Sequence, residues 1–84
     1  MKVERIIATV ELGQGRAVDL ELPAFLPVSE LADKVLEALQ ALFPAEFDAV
    51  GQIGLTAENH ELDGSSTLAS VGLWDGSVLG IVRR

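Results

Sequence analysis

The chain has 84 residues, of which 49% are hydrophobic and 23% are charged, so it is long enough for one domain with one core. Thirteen acidic and six basic residues give a formal net charge of −7, which argues against a nucleic-acid partner. There is no cysteine, which excludes disulfides, thiolate metal sites and cysteine nucleophiles and favours the cytoplasm. We therefore expect a single domain over residues 1–84.

The first third of the chain predicts a β-hairpin. Residues 3–12 are rich in aliphatic and β-branched side chains, and residues 17–22 alternate between apolar and acidic side chains. An alternation of period two is typical of a half-buried strand, so the apolar members should face a core. Gly13 and Gly15 lie between the two runs and can adopt the positive φ values of a tight turn.

An amphipathic helix follows the hairpin and spans residues 30–43, ELADKVLEALQALF. Its apolar side chains cover an arc of roughly 140°. They are Leu31, Ala32, Val35, Leu36, Leu39, Leu42 and Phe43. Ser29 is predicted to cap the helix, and Pro44 to end it. A stripe this broad predicts a helix that packs across a sheet.

The second half of the chain predicts shorter elements. They are, in chain order, a loop over 44–51 with Phe47 under the core, a strand over 52–57, a turn with a very short strand ending at Leu62, a helical turn over 67–72 and a last strand over 77–82. One helix covering one face of a mixed four- to five-stranded sheet is an α+β architecture. First and last strands side by side at the centre would bury both hydrophobic runs, and this arrangement is the β-grasp.

The last 33 residues, QIGLTAENHELDGSSTLASVGLWDGSVLGIVRR, contain a strand ending in alanine, a Leu-Asp-Gly turn, a Thr-Leu pair, a helical turn and a last strand ending in arginine. In this order they resemble the second half of ubiquitin. The matching residues are Leu62, Asp63, Gly64, Thr67 and Leu68. The hairpin and helix match in order as well, so the resemblance covers essentially the whole chain and implies a ubiquitin-like β-grasp fold.

Three further segments refine the resemblance. They are Asp19-Leu20-Glu21-Leu22 in the hairpin, Pro27-Val28 before the helix, and Gly72-Leu73-Trp74-Asp75-Gly76 before the last strand. In these segments the chain is most similar to the YukD/EsaB ubiquitin-like proteins of bacterial type VII (ESX/WXG100) secretion. The resemblance implies a cytoplasmic accessory or regulatory module that is not an enzyme and binds a protein partner.

Ubiquitin and the sulfur-carrier β-grasp proteins act through a flexible tail ending in Gly-Gly, whose carboxylate is activated. The sequence instead has Arg83 and Arg84 directly after the last strand, so we expect a module that is not conjugated. The alternative is a carrier, either a ubiquitin-like modifier or a sulfur carrier, if the native chain continues to a terminal Gly-Gly. A third reading is a domain of a longer membrane or signalling protein.

The sequence predicts no catalytic, cofactor or metal site. His60 is the sole histidine and lies in a polar turn with Glu58, Glu61 and Asp63, where an exposed loop histidine is favoured over a metal site because tight sites need several converging ligands. The hydroxyl side chains of residues 65–67 follow a glycine and are typical of turn chemistry rather than of nucleophiles. No apolar run approaches the ~20 residues that a membrane helix needs, so no membrane insertion is expected.

Two features predict a protein-binding surface. If the strand phases are right, small and uncharged residues point away from the helix, and a bare sheet face is a contact surface. Trp74 lies in a turn and would anchor a partner, unless its ring folds over the edge of the core. The predicted partner-binding residues are Ile7, Thr9, Thr56, Trp74, Val78 and Val82. Exposed sheet edges also allow a homo-oligomer.

Overall fold

The computed structural model describes residues 5–84. Its elements are β1 (Arg5–Gly13), β2 (Arg16–Pro23), α1 (Val28–Leu42), α2 (Pro44–Phe47), β3 (Ile53–Ala57), β4 (His60–Glu61) and β5 (Val78–Arg83). The five strands form one sheet in the order β2-β1-β5-β3-β4. β1 and β5 are parallel neighbours, and the other pairs are antiparallel. The predicted α+β fold with adjacent first and last strands is confirmed, although residues 3 and 4 of the predicted first strand lie outside the described residues.

The turn between β1 and β2 fixes the register of the hairpin. Gln14 and Gly15 have φ values of 56° and 75°, and two positive φ values in a two-residue loop match the right-handed twist of the flanking strands. The pairing then runs from Glu11 back to Arg5 without interruption. This register places the alternate apolar residues of β1 on the inner face of the sheet, where all four are buried: Ile6, Ala8, Val10 and Leu12.

The helix α1 begins two residues earlier than predicted, and the prediction that Ser29 caps it was wrong. The residue at the cap position is Pro27, and no side chain makes a capping hydrogen bond. Instead, the N–H of Val28 donates to the carbonyl of Ser66 at 2.7 Å, and the N–H of Ser29 donates to that of Gly64 at 3.0 Å. Carbonyl groups of a distant loop thus satisfy the free donors at the start of the helix.

The segment predicted as a loop after α1 contains a helical turn, α2, with Pro44 at its start. Proline suits this position because its fixed φ is already helical and its missing N–H is not needed there. The turn places Phe47 in the core, fully buried as predicted. The Gln40 side chain donates to the carbonyls of Phe47 and Val50 at 3.2 and 3.3 Å, which joins α1 to the residues after α2.

The core lies between the inner face of the sheet and the two helices. Its fully buried side chains of largest volume are Phe47, Leu31, Leu39, Leu55, Leu68, Leu79, Val10 and Val35. Leu42 was predicted to belong to this core, but its side chain is 53% exposed. α1 ends at Leu42, and Phe43 rather than Leu42 packs against the buried cluster.

The predicted helical turn over 67–72 is a hydrogen-bonded turn that does not continue as a helix. The N–H of Val71 donates to the carbonyl of Thr67 at 3.2 Å. However, the Thr67 hydroxyl accepts a hydrogen bond from the N–H of Ser70 at 3.0 Å, and the Ser70 hydroxyl accepts one from the N–H of Thr67 at 2.9 Å. Such side-chain bonds compete with helix formation. Gly72, with a φ of 78°, then turns the chain towards β5.

Glu46 ties three separate segments together. Its Oε2 accepts hydrogen bonds from Arg16, at the start of β2, and from Arg83, at the end of β5, each at 2.6 Å. The Arg83 guanidinium also lies 4.5 Å above the centre of the Phe47 ring, a cation–π distance. The hydrogen bonds from Arg16 and Arg83 lower the pKa of Glu46 from 4.5 to about 2.

This depressed pKa predicts an acid-sensitive contribution to stability. Because the carboxylate is favoured in the folded state, its contribution is complete above pH 4.5 and is lost as the pH falls towards 2. In urea unfolding over that interval, the free energy of unfolding should fall more steeply for the wild type than for Glu46→Gln, which has no proton to gain at this position. Parallel curves for the two proteins would contradict the prediction.

Candidate protein-binding face

The face of the sheet that points away from α1 carries an uncharged band across its three middle strands. Its most exposed members are Ile7 on β1 and Val78 and Val82 on β5, with 52%, 49% and 38% of their surface accessible. We call the following residues the outer band: Ile7, Thr9, Gly54, Thr56, Val78, Gly80 and Val82. The structure therefore brings together five of the six residues that the sequence predicted for partner binding.

Strand pairing explains why the residues of the outer band lie side by side. Thr9 pairs with Val78, Thr56 with Gly80, and Gly54 with Val82, so side chains from neighbouring strands lie side by side. A Cβ atom at Gly80 would approach the Thr56 Oγ1 to 2.5 Å. The absence of a side chain at Gly80 lets the Thr56 hydroxyl lie across β5.

Charged groups border the outer band on both sides. On the β2 side, Asp19 accepts a hydrogen bond from the Thr9 hydroxyl at 2.7 Å, and Glu21 lies 3.3 Å from the Arg5 guanidinium. On the β4 side, Arg84 pairs with Glu61, and this ion pair crosses the space that a side chain at Gly54 would need. An exposed apolar patch with a polar rim is typical of a protein contact surface.

Trp74, the sixth predicted residue, does not belong to the outer band. It is 74% exposed, so the alternative of a ring folded over the core edge is wrong for this structure. Trp74 lines a groove of about 390 Å³ together with Ile6, Phe25 and Leu73. Since Ile6 points to the inner face, the groove opens at the end of the sheet on the helix side and is a second apolar surface.

The sequence analysis missed the role of Asp75. Its carboxylate accepts a hydrogen bond from the N–H of Ile7 at 2.8 Å, and the next residue, Gly76, donates its N–H to the Ile7 carbonyl at 2.9 Å. These bonds fix the backbone of the most exposed aliphatic residue of the outer band. Asp75-Gly76 was recognisable as a turn signal, but the partner of its carboxylate depends on which strand lies beside it.

The polar residues around β4 act in local structure. His60 is exposed and pairs with Ala57 in the short hairpin. Asp63 accepts hydrogen bonds from the N–H and the hydroxyl of Ser65 at 2.9 and 2.7 Å, which lower its pKa. Within residues 5–84, no three His, Asp or Glu side chains are grouped so that they could hold a metal ion. In the same range no helix has the length and apolarity to cross a membrane.

Comparisons with known proteins agree with this architecture. The family model for the protein YukD of the WXG100 protein secretion system (Wss) matches residues 5–81. The ubiquitin-like domain of the Mycobacterium tuberculosis type VII secretion system protein EccD1 is 27% identical, with a TM-score of 0.77, over 95% of this chain and 99% of that chain. Caldiarchaeum subterraneum ubiquitin superposes with a TM-score of 0.63 at 22% identity, over 95% of this chain and 94% of that one. No curated protein sequence matches the chain.

A much longer protein contains the same fold. A chain of the MycP5-free ESX-5 inner membrane complex, State II, superposes with a TM-score of 0.80 at 21% identity. The match covers 98% of this chain but only 21% of that chain, so the ubiquitin-like unit is about a fifth of that protein. The fold is thus the ubiquitin-like β-grasp, and the chain belongs to the YukD family of the WXG100 (type VII) protein secretion system.

Proposed function

We propose that this ubiquitin-like chain, as a single domain over residues 1–84, is a non-catalytic, cytoplasmic accessory module that binds a protein of the type VII secretion machinery. The outer band is the proposed docking surface. The observation that carries the proposal is the exposure of Ile7, Val78 and Val82 in one uncharged band with charged groups on either side.

The outer band offers enough apolar surface for a specific contact. Full burial of an aliphatic side chain contributes about 1.5–3 kcal/mol, so covering the exposed parts of Ile7, Val78 and Val82 would contribute roughly 3 kcal/mol in total. The Arg84–Glu61 and Arg5–Glu21 ion pairs at the borders of the outer band can set the orientation of a partner.

Family membership supports the choice of partner. The chain matches the family of a WXG100 secretion protein, and a chain of an ESX-5 inner membrane complex includes a unit of the same fold. A protein of such a membrane complex is therefore the proposed binding partner. The cysteine-free composition fits a reducing cytoplasm.

Arg83 and Arg84, at the end of the last strand, are bonded to the folded domain and form the β5 end of the border of the outer band. The N–H of Arg84 donates to the carbonyl of Gln52 at 2.9 Å, and its guanidinium pairs with Glu61. Arg83 is held by Glu46 and stacks on Phe47. These two residues are fixed parts of the folded body.

Val82→Asp tests the proposal. With a tagged chain expressed in the native host, we expect the wild type to capture the inner membrane secretion complex and Val82→Asp to capture at least about tenfold less, because a carboxylate in an apolar contact would have to be desolvated. The matched control is Leu42→Asp, which places the same charge on an exposed leucine at the end of α1.

Circular dichroism would verify that both variants fold. The proposed docking surface is wrong if folded Val82→Asp and Leu42→Asp capture equal amounts of the complex. The proposed partner is wrong if the folded wild type captures none of its components.

A further inference from the structure

β2 is an edge strand, because the order of the sheet places only β1 beside it. The free side of β2 follows from the backbone bonds of β1. The N–H of Ile7 donates to Asp75, its carbonyl accepts from Gly76, and the N–H of Thr9 donates to Ser77. The backbone groups of Ile7 and Thr9 therefore point towards β5 and the turn before it.

Successive residues of a strand direct their backbone groups to opposite edges. Ile6, Ala8 and Val10 therefore point towards β2, where they pair with Leu22, Leu20 and Val18. The intervening residues of β2, which are Ala17, Asp19 and Glu21, point their N–H and carbonyl groups away from β1. No backbone hydrogen bond joins these three residues to any other segment between residues 5 and 84.

An added strand would meet different chemistry on its two faces. On the outer face of the sheet it would lie beside the carboxylates of Asp19 and Glu21. On the inner face it would lie beside the half-buried Leu20 and a groove of about 240 Å³ between β2 and α1, whose walls include Leu22 and Ala38, with the charged Lys34 at its side. Residues directly opposite each other in neighbouring strands share a face and interact.

We propose that the free edge of β2 binds an extended segment of a partner protein, antiparallel to β2, in which basic residues alternate with aliphatic ones. The basic residues lie opposite Asp19 and Glu21, and their backbone N–H and carbonyl groups exchange hydrogen bonds with those of Asp19 and Glu21. The aliphatic side chains enter the groove beside α1. When a strand is added to a free sheet edge, main-chain hydrogen bonds provide the affinity and alternate side chains provide the specificity.

Charge disfavours a second copy of this chain as the occupant. Antiparallel pairing of two β2 edges around Asp19 would place the two Asp19 carboxylates opposite each other, and a parallel, in-register pair would oppose both acidic residues. Like charges directly opposite each other destabilise a sheet, and charged edge strands are a common defence against such pairing. The side chains of Asp19 and Glu21 border the outer band, but the free backbone groups of β2 point away from it, so this proposal does not rest on the docking surface proposed above.

The test uses three peptides with the ¹⁵N-labelled chain. The first is acetyl-Val-Lys-Val-Lys-Val-amide, and the second replaces both lysines with glutamate. The third is the first peptide with a methyl group on the backbone nitrogen of each lysine. We expect the first peptide to shift the amide resonances of Ala17, Asp19 and Glu21 and to bind at least about tenfold more tightly than the second, since two cross-strand charge pairs change from attraction to repulsion. The third peptide keeps the lysine charges, but its methylated backbone nitrogens cannot donate hydrogen bonds to β2. It should therefore also bind at least about tenfold more weakly than the first peptide.

Two double variants distinguish binding at the β2 edge from non-specific attraction of a basic peptide to an acidic chain. The double variant Asp19→Lys/Glu21→Lys should prefer the glutamate peptide. Its control, Asp33→Lys/Glu37→Lys, changes the net charge equally on the exposed side of α1 and should keep the preference for lysine. Equal binding of the plain and N-methylated lysine peptides, or equal effects of the two double variants, would overturn the proposal. Concentration-dependent shifts at the same three amides without peptide would overturn the choice of occupant.

Discussion

Replacing Phe47 with alanine is expected to lower the free energy of unfolding by about 3–5 kcal/mol. The ring is fully buried, and its loss leaves a cavity between α2 and the inner face of the sheet. It also removes the surface on which the Arg83 guanidinium stacks at 4.5 Å. A chain of this length has a total stability of roughly 4–13 kcal/mol, so the variant should lose a large share of it.

Leu42→Ala is the control for Phe47→Ala. Leu42 is 53% exposed at the end of α1, and alanine is a good helix former, so the expected change is within about 0.5 kcal/mol. Urea unfolding followed by circular dichroism measures both variants under the same conditions. Comparable losses for Phe47→Ala and Leu42→Ala would mean that the core is not organised around Phe47.

Elements defined by local periodicity could be predicted from the sequence. The alternation in β1, β2 and β5 assigned the inner and outer residues of each strand correctly, because a residue's face depends only on its position in the strand. Phe47 was placed in the core although α2 was not predicted, since a large aromatic side chain between a helix and a strand has few other places to go. The central position of the first and last strands was also predicted correctly, whereas the full strand order was not stated in advance.

The errors arise where a distant segment decides the local structure. Ser29 is a good capping residue by type, but the carbonyls of Gly64 and Ser66 accept the first N–H groups of α1. The sequence around Ser29 contains no signal for these distant acceptors. Leu42 continues the helical stripe by spacing, but the helix ends there and Phe43 takes the contact with the core. Both outcomes depend on tertiary packing rather than on propensity.

The candidate site likewise contains residues whose positions could be predicted from the sequence and residues whose positions could not. The residues of the outer band could be predicted because strand phase alone sets their direction. The position of Trp74 in a separate groove with Phe25 could not, because it depends on how the segment before β5 crosses the connection between β2 and α1. The free backbone groups of Asp19 and Glu21 likewise follow from strand order, which a single strand does not reveal.

Asp75→Ala is expected to lower the free energy of unfolding by about 1–2 kcal/mol, because it leaves the N–H of Ile7 without its acceptor. The pairing of β1 with β5 begins only at Thr9 and Val78. Before that point, Asp75 takes the place of a strand residue by accepting from Ile7 at 2.8 Å.

Asp75→Asn is the matched variant, since its side-chain oxygen can still accept the hydrogen bond without a charge. We expect it to lose less than half as much stability as Asp75→Ala. Hydrogen exchange provides the local measurement: the Ile7 amide should exchange faster in Asp75→Ala, while the Leu55 amide in β3 should follow only the global change. Unchanged exchange at Ile7, or equal losses in the two variants, would contradict this role. Because Asp75 lies between Trp74 of the groove and Ile7 of the outer band, the same bond fixes the turn that separates the two exposed apolar surfaces.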